Sequence, residues 1–262
     1  MAKRSIPGIR AIVTGVSSGI GRELVLQLAQ QGAHVVGIAR RVERLEALAE
    51  SCASMPGKFH YVAGDVTDAA VRAAALAKAK EAYGGLDLLI NNAGIGAMGP
   101  FDTADPARLR RVFEVNFFAP LEFIREALPE LKAGRQPMVV NVASTLGHVG
   151  LPKLSEYSAS KFALRGFSDA FRAEQAHNGG VDVLVISPAT TATEIFDVMI
   201  EAKGDTPWRQ RKPPSAATVA GRIIKAIRKN KKEIFASFAA WFITWSNRNY
   251  PWLIRWILAR RQ

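Results

Sequence analysis

Short apolar runs alternate with longer stretches of helical periodicity along most of the chain. The runs are rich in Val and Ile and often apolar at consecutive positions, which is typical of strands buried on both faces of a parallel sheet. They predict seven strands: Ile9–Val13, His34–Ile38, Phe59–Ala63, Leu86–Ile90, Met138–Val142, Val181–Ile186 and Glu233–Ala236. The stretches between them predict six helices: Arg22–Gln31, Val42–Glu50, Ala69–Tyr83, Pro106–Leu131, Ser155–Asn178 and Ala216–Lys229.

This repeated order of strand and helix predicts the fold class. It is typical of right-handed crossovers that join neighbouring parallel strands. We therefore expect an α/β protein with a doubly wound parallel sheet of the Rossmann type, about seven strands wide, with helices on both faces. No linker rich in Ser, Gly or Pro interrupts the series, so residues 1–236 are interpreted as one domain.

The C-terminal tail, residues 237–262, has a different character. It contains four of the chain's five tryptophans: Trp241, Trp245, Trp252 and Trp256. The polar stretch Asn247–Asn249 and the helix breaker Pro251 divide it, and neither apolar half reaches the ~18 uninterrupted apolar residues of a spanning helix. We expect the tail to act as a lid over the active site, a dimer contact or a membrane-surface anchor.

Composition narrows the class of protein. With 48% hydrophobic residues in 262, the chain has enough apolar side chains for a folded core, which excludes disorder. The lone Cys52 suits a reducing compartment, and the N-terminus lacks the features of a secretory signal, so we expect a cytoplasmic protein, with peripheral membrane association as an alternative. The net charge of +12 is concentrated between Lys203 and Arg261, without zinc-ligand spacing or an RNA-binding aromatic pattern, so neither a metal nor a nucleic-acid partner is expected.

A glycine-rich turn directly follows the first predicted strand. The sequence from Thr14 to Gly21 reads Thr-Gly-Val-Ser-Ser-Gly-Ile-Gly and leads into a helix. Gly15 allows a tight exit from the strand, Gly19 lets backbone approach a pyrophosphate, and Gly21 lets the helix pack closely on the strand. The helix N-terminus then offers unpaired N–H groups to phosphates. The turn therefore predicts a dinucleotide site.

The spacing Thr-Gly-x3-Gly-x-Gly resembles that of the short-chain dehydrogenase/reductase family. Three further segments agree with this family in its order: Asn91-Asn-Ala-Gly94 after the fourth strand, Ser144 thirteen residues before Tyr157, and Tyr157-x3-Lys161. The resemblance runs from about Ile9 to Phe235. It implies an oxidoreductase that transfers a hydride between a nicotinamide cofactor and a carbonyl or secondary alcohol of a small molecule, acting as a homodimer or homotetramer.

Four residues form the predicted catalytic site. Tyr157 and Lys161 lie one turn apart on one helix face, and an ammonium there is expected to lower the pKa of a phenol from its usual value near 10. Tyr157 would then act as general acid or base. The resemblance implies that Lys161 also binds the nicotinamide ribose, that Ser144 hydrogen-bonds the reacting oxygen, and that Asn116 holds a water linking Lys161 to solvent.

The end of the second strand predicts which nicotinamide cofactor is used. An acidic residue there binds the adenosine ribose hydroxyls, whereas an arginine attracts a 2′-phosphate. Here Ala39 occupies the place where NAD-binding family members carry Asp, and Arg40 and Arg41 follow. We expect NADP(H), with Arg40 as the phosphate contact and Arg41 as the second candidate.

The resemblance also implies the remaining cofactor contacts. These are Gly15, Ser17, Ser18, Gly19, Ile20, Gly21, Asp65, Val66, Asn92, Ala93, Gly94, Tyr157, Lys161, Pro188 and Thr193. Ala189 stands where the family usually has Gly, and because alanine disfavours positive φ, we expect this loop to turn differently. Residues 194–214 are predicted to form the substrate loop.

Two alternatives remain open at this level. One is a dinucleotide-sensing or scaffold protein that keeps the fold without catalysis. The other is a membrane-surface reductase of lipidic or steroid-like substrates, because aromatic residues flanked by Arg suit a headgroup boundary. The sequence does not name the substrate or the physiological direction of the reaction.

Overall fold

The chain folds around one seven-stranded parallel sheet in a computed structural model, which describes residues 3–177, 180–189, 191, 199–200 and 213–259. The strand order is β3-β2-β1-β4-β5-β6-β7, and every neighbouring pair is parallel. The order reverses between β1 and β4, which is the switch point where open α/β sheets bind ligands. The strands are β1 Arg10–Thr14, β2 His34–Ala39, β3 Phe59–Ala63, β4 Leu88–Asn91, β5 Met138–Val142, β6 Asp182–Ser187 and β7 Glu233–Phe235.

Nine α-helices accompany the sheet among the described residues. They are α1 Gly19–Gln30, α2 Val42–Cys52, α3 Ala69–Tyr83, α4 Pro106–Phe113, α5 Ala119–Lys132, α6 Ser155–His177, α7 Ala216–Arg228, α8 Phe238–Asn249 and α9 Pro251–Ala259. Side chains at the helix ends explain several boundaries, since Asp68, Asp105 and Ser215 each accept a hydrogen bond from a first-turn backbone N–H.

Two apolar layers cover the two faces of the sheet. Consecutive residues of β1 alternate between them, with Ala11 and Val13 in one layer and Ile12 in the other. Helices α1, α2 and α7 complete the first layer, and α3, α5 and α6 complete the second. The predicted doubly wound parallel sheet with helices on both faces is confirmed.

One predicted helix is divided. The stretch predicted as a single helix from Pro106 to Leu131 consists of α4, a π-helical turn over Glu114–Phe118, and α5. The wider turn occurs where the side chain of Asn116 forms hydrogen bonds with the backbone of Ile95 instead of facing outward. The other predicted elements differ from the observed ones only by a few residues at their ends.

The tail forms a short helical pair. Helices α8 and α9 meet at Tyr250, and α9 begins at Pro251, as expected of a residue that cannot continue a helix. Ser237 caps α8 by accepting a hydrogen bond from the backbone N–H of Ala240. No helix within the described parts of the chain has the length and apolar character needed to cross a bilayer.

Candidate active site

Three predicted catalytic side chains meet at the carboxyl end of the sheet. Ser144 follows β5, and Tyr157 and Lys161 lie in the first turns of α6. All three are buried, and the Lys161 Nζ lies 5.9 Å from the centre of the Tyr157 ring. The i, i+4 spacing therefore places the phenol and the ammonium beside each other, as the sequence predicts.

The ammonium of Lys161 is buried away from water. Its Nζ donates a hydrogen bond to the Val142 carbonyl at 3.0 Å. Burial lowers the pKa of this side chain to about 8, because the charged form loses its hydration. Lys161 can thus lose or regain a proton near neutral pH.

Burial acts on Tyr157 in the opposite direction. It raises the pKa of the phenol above its usual value near 10, and a hydrogen bond with the Ser144 side chain opposes this rise without cancelling it. We expected the neighbouring ammonium to lower this pKa, and the structure gives the opposite net direction. Removal from water raises this pKa more than the Ser144 hydrogen bond lowers it, so the phenol is protonated at neutral pH.

A short 3₁₀ turn over Thr145–Gly147 fixes Ser144. The Ser144 hydroxyl accepts a hydrogen bond from the Leu146 backbone N–H at 3.1 Å. The Thr145 backbone N–H and hydroxyl both donate to the Pro188 carbonyl, at 2.8 and 3.1 Å. These bonds connect the end of β5 to the end of β6, and they hold Ser144 on the same side of the sheet as Pro188.

Asn116 is fully buried in the π-helical turn. Its side chain accepts a hydrogen bond from the Ile95 N–H and donates to the Ile95 carbonyl, both at 2.9 Å, and it also donates to the Ser160 hydroxyl at 3.1 Å. Asn116 thereby connects the segment after β4 to the start of α6. Ser160 was not among the predicted site residues, although it lies inside the Tyr157-x3-Lys161 segment.

The glycine-rich turn packs tightly against the segment after β4. A Cβ on Gly21 would lie 2.2 Å from the Gly15 carbonyl oxygen, and Gly15 itself has a φ of +73°. The Thr14 hydroxyl accepts hydrogen bonds from the Asn92 and Ala93 backbone N–H groups at 3.0 and 2.9 Å. Thr14 was not predicted as a site residue, although it is the first residue of the Thr-Gly-x3-Gly-x-Gly motif. Its hydroxyl joins the end of β1 to the segment after β4.

The two arginines after β2 point to different neighbours. Arg41 donates to the hydroxyls of Ser17 and Ser18 at 2.9 and 3.0 Å, so its guanidinium lies on the glycine-rich turn. Arg40 is 67% exposed, with its Nη1 3.8 Å from the Asp65 carboxylate. Arg41 therefore borders the glycine-rich turn, whereas Arg40 lies beside the carboxylate that follows β3.

Asp65 is held by a third arginine. Its carboxylate accepts a 2.8 Å hydrogen bond from Arg111 and further bonds from the backbone and side chain of Thr67. Burial alone would raise the pKa of Asp65, but these hydrogen bonds and the charge of Arg111 lower it below its usual value. The carboxylate is thus ionised at neutral pH. No pattern in the sequence singles out Arg111.

The backbone around the glycine-rich turn and the start of α1 fits a dinucleotide. No side chain caps the N-terminus of α1, and its first turn has no acidic residue, so its N–H groups can receive a phosphate. A Cβ on Gly94 would lie 3.2 Å from the Asn116 Oδ1 and 3.4 Å from the Lys161 Nζ, so backbone approaches these two side chains closely. Glycine thus provides the space that a bound ribose requires.

One end of the predicted site is only partly described. Thr193, and almost all of the substrate loop predicted over residues 194–214, lie outside the described residues. Ala189 is described and does not adopt positive φ, and its carbonyl accepts a hydrogen bond from the Thr191 hydroxyl at 3.1 Å. Within the described residues, no group of three His, Cys, Asp or Glu side chains could hold a metal ion.

Comparison with solved structures supports the same architecture. A short chain dehydrogenase/reductase from Burkholderia phymatum, in complex with NAD, superposes with a TM-score of 0.85 at 25% identity, over 95% of this chain and 96% of that one. A short-chain dehydrogenase from Streptomyces avermitilis gives a TM-score of 0.80 at 28% identity, over 96% and 97% of the two chains.

Comparison of sequences gives the family. The mouse dehydrogenase/reductase SDR family member 7B is 35% identical over 231 residues, which cover 85% of this chain and 71% of that protein. The NADPH-dependent 3-dehydrocapnine reductase of Ornithobacterium rhinotracheale is also 35% identical, over 71% of this chain and 66% of that protein. The model of the short chain dehydrogenase family matches residues 10–203. With its parallel sheet and its Ser, Tyr and Lys side chains at one edge, the chain belongs to the short-chain dehydrogenase/reductase family of oxidoreductases.

Proposed function

We propose that the protein is an NADP(H)-dependent reductase of a small-molecule carbonyl, in which Tyr157 is the general acid. The observation that carries this proposal is the buried Tyr157 phenol, held between Ser144 and Lys161 at the switch-point edge of the sheet. A protonated phenol that is shielded from water is suited to donate a proton to a carbonyl oxygen. In the reverse direction the same oxygen would accept a proton from a secondary alcohol.

The residues divide the chemistry between them. When bound, the nicotinamide supplies the hydride that reaches the carbonyl carbon. Ser144 donates a hydrogen bond to the substrate oxygen, and Tyr157 gives that oxygen its proton. The ammonium of Lys161, whose pKa is about 8, stabilises the phenolate that remains, and burial strengthens this attraction. The phenolate then recovers a proton from solvent, by the route through Asn116 and water that the family resemblance implies.

The preference for NADP(H) is part of the proposal. It is supported by the absence of a carboxylate at the end of β2 and by the exposed guanidinium of Arg40, which directly follows that strand. Arg40 would pair with the 2′-phosphate as a charge-assisted contact. The Ornithobacterium relative is an NADPH-dependent reductase, which supports this preference, whereas the Burkholderia structure holds NAD.

Assembly and location are also proposals. Proteins of the family often form oligomers, and we propose a homodimer or homotetramer, which sedimentation velocity would test. We further propose a cytoplasmic enzyme with peripheral membrane contact through residues 237–262, supported by the exposed tryptophans of that segment.

Transfer of deuterium from labelled NADPH to a carbonyl substrate tests the proposed reaction. NADPH carrying deuterium at the reactive C4 position is incubated with the protein and a panel of aldehydes and ketones, and the alcohol products are examined by mass spectrometry. We expect at least one product to gain a single deuterium on the former carbonyl carbon. If the protein binds NADPH tightly and labels no carbonyl of the panel, the non-catalytic sensor is the better account.

A further inference from the structure

The outer surface of α8 carries an apolar stripe that does not face the core. Phe238, Trp241, Phe242 and Trp245 follow the i, i+3, i+4, i+7 spacing of one helix face. Each of the four side chains is between 42% and 76% exposed. Their rings pack against one another along the helix, with centroids 5.5 to 6.2 Å apart. Such a stripe normally lies against the core of its own domain. In α8 it faces outward instead.

The inner face of α8 is correspondingly small and polar. Its buried residues are Ala240 and Ser246. Asn247 fixes the helix by donating a hydrogen bond to the His148 carbonyl at 3.0 Å. This contact attaches α8 to the residue that directly follows the 3₁₀ turn over Thr145–Gly147. The outward orientation of the aromatic stripe is therefore set by specific contacts on the inner side.

Helix α9 extends the same apolar surface. None of its described residues is buried, and Trp252 and Trp256, one turn apart, are both more than half exposed. At the junction of the two helices, Tyr250 packs edge-on against Trp245, with ring centroids 5.8 Å apart. We call the surface formed by Phe238, Trp241, Phe242, Trp245, Tyr250, Trp252 and Trp256 the aromatic face.

The charges around the aromatic face favour one kind of partner. After Glu233 the chain contains no Asp or Glu, and Arg248 and Arg255 lie within the two helices. A second copy docked through the aromatic face would bring the arginines of the two tails together with no carboxylate to pair them, whereas a surface of anionic headgroups would attract them.

The lengths of the helices define the mode of contact. At about 1.5 Å per residue, α8 and α9 are roughly 18 and 14 Å long, well below the ~30 Å of a bilayer core. Trp and Tyr prefer the boundary between headgroups and acyl chains, because their rings are apolar and their N–H or O–H groups stay hydrated. We infer that the aromatic face docks on the surface of an anionic lipid bilayer, with α8 and α9 lying in the plane of the interface. This inference rests on the tail alone and does not depend on the proposed catalytic reaction.

Flotation of the full-length protein with vesicles tests this inference. Two compositions are used, phosphatidylcholine alone and phosphatidylcholine mixed with phosphatidylglycerol. We expect flotation with the anionic vesicles, a weaker association with the neutral ones, and a loss of binding as salt rises, because salt screens the headgroup charge. Absence of flotation with the anionic vesicles at low salt overturns the inference.

Substitutions in the aromatic face, compared with a substitution of an exposed ring elsewhere, test which residues bind the vesicles. The double variant Trp241→Ser, Trp245→Ser removes two exposed indoles and should weaken anionic vesicle binding by at least about tenfold. The control Phe101→Ser removes an exposed aromatic ring outside the tail and should bind like the wild type. Binding of NADPH by both variants reports that they are folded. Equal vesicle binding by wild type and double variant contradicts the inference, and so does a double variant that binds vesicles normally but loses its oligomeric state.

Fluorescence of the unmodified protein provides a test without substitutions. Four of its five tryptophans lie in the tail, so emission reports mainly on this segment. Anionic vesicles made with brominated acyl chains should quench the emission, since bromine acts only on rings that reach the acyl boundary. Unquenched emission from vesicle-bound protein would show that the aromatic face stays in water, and the inference would fall.

Discussion

At the scale of single residues, burial determines the protonation of Tyr157 and Lys161. Lys161 and Tyr157 are both removed from water, and burial favours the neutral form of each. The pKa of the lysine therefore falls to about 8, and that of the phenol rises. The free site thus holds its proton on Tyr157, where reduction of a carbonyl requires it.

Lys161 gives a prediction about stability and pH. Its folded pKa of about 8 lies below the unfolded value of 10.5, so the folded state binds fewer protons between these values and stability rises with pH across that window. Lys161→Met removes this dependence. We expect the free energy of unfolding of this variant to exceed that of the wild type at pH 7, and the difference to shrink by about 2 kcal/mol by about pH 9.5.

Chemical denaturation at several pH values measures this difference. Lys132→Met, at an exposed position near the end of α5, serves as the control and should differ from the wild type by the same amount at every pH. If the Lys161→Met difference stays constant between the two pH values, the ammonium is not buried in the way described.

Arg40 gives a prediction about cofactor preference. Arg40→Ala should weaken NADPH binding by about tenfold or more, because a charged hydrogen bond to the 2′-phosphate is lost, while NADH binding changes little. Titration of each cofactor by intrinsic fluorescence measures both affinities. Arg125→Ala, on the exposed side of α5, should leave both unchanged.

The second arginine is tested in the same titrations. Arg41 already contacts the Ser17 and Ser18 hydroxyls, so Arg41→Ala should weaken both cofactors if it mainly holds the glycine-rich turn. Equal losses of NADPH and NADH in Arg40→Ala would mean that Arg40 does not contact the phosphate.

The sequence predicts the identity of the candidate site residues better than their electrostatics. The spacing of Tyr157 and Lys161 on a helix brings them together by geometry alone. The direction of the pKa shift of Tyr157 depends on how completely the fold excludes water from the phenol. No local sequence pattern indicates the extent of that exclusion. The contact between Arg41 and the glycine-rich turn likewise depends on the path of a long side chain across two loops.

At the scale of elements, the π-helical turn between α4 and α5 could not be read from periodicity. The apolar spacing continues across Glu114–Phe118, so the pattern predicts one long helix. The wider turn is stabilised by bonds that Asn116 makes with Ile95 and Ser160, which lie far away in sequence. Long-range polar contacts of this kind override local propensity.

A buried ion pair joins α4 to the start of α6. The guanidinium of Arg108 donates to the Glu156 carboxylate at 2.7 and 2.9 Å, and both side chains are at most 2% exposed. Arg108→Ala would leave the charge of Glu156 buried without this partner, beside Tyr157. We expect the free energy of unfolding to fall by about 3–5 kcal/mol, measured by urea denaturation.

Two comparisons separate this effect from a general loss of packing. Arg108→Met combined with Glu156→Met removes both charges and should cost much less than the single change, because no buried charge is left. Lys80→Ala breaks the exposed pair with Glu130 and should have no measurable effect. If Arg108→Ala is at least as stable as the Arg108→Met, Glu156→Met double variant, the ion pair does not hold α4 against α6.

At the scale of the whole molecule, the order of strands and helices predicts the parallel sheet and its switch point. Seven strands alternating with helices leave few topologies open. The orientation of α8 is not predictable in this way, because a helical apolar stripe normally indicates a face that packs on the core. The stripe from Phe238 to Trp245 faces outward because Ala240, Ser246 and Asn247 make the contacts on the other side.

The proposed division at residue 237 gives a prediction about truncation. Helices α8 and α9 bury little of their surface on the rest of the chain, so a protein ending at Ser237 should keep its fold and its affinity for NADPH. It should lose association with anionic vesicles. Circular dichroism, NADPH titration and flotation measure the three properties. Joint loss of folding and NADPH binding would show that the tail belongs to the core.

The most direct test of the proposed function is the turnover of Tyr157→Phe. The account predicts that this variant binds NADPH as the wild type does, because only one hydroxyl is removed, and that its kcat with a carbonyl substrate falls by about 10²–10⁴-fold, since proton donation to the substrate oxygen is lost. The measurement follows NADPH oxidation at 340 nm, a wavelength at which NADP⁺ does not absorb, with the best carbonyl of the labelled panel. A kcat close to that of the wild type would contradict the assignment of Tyr157 as the general acid.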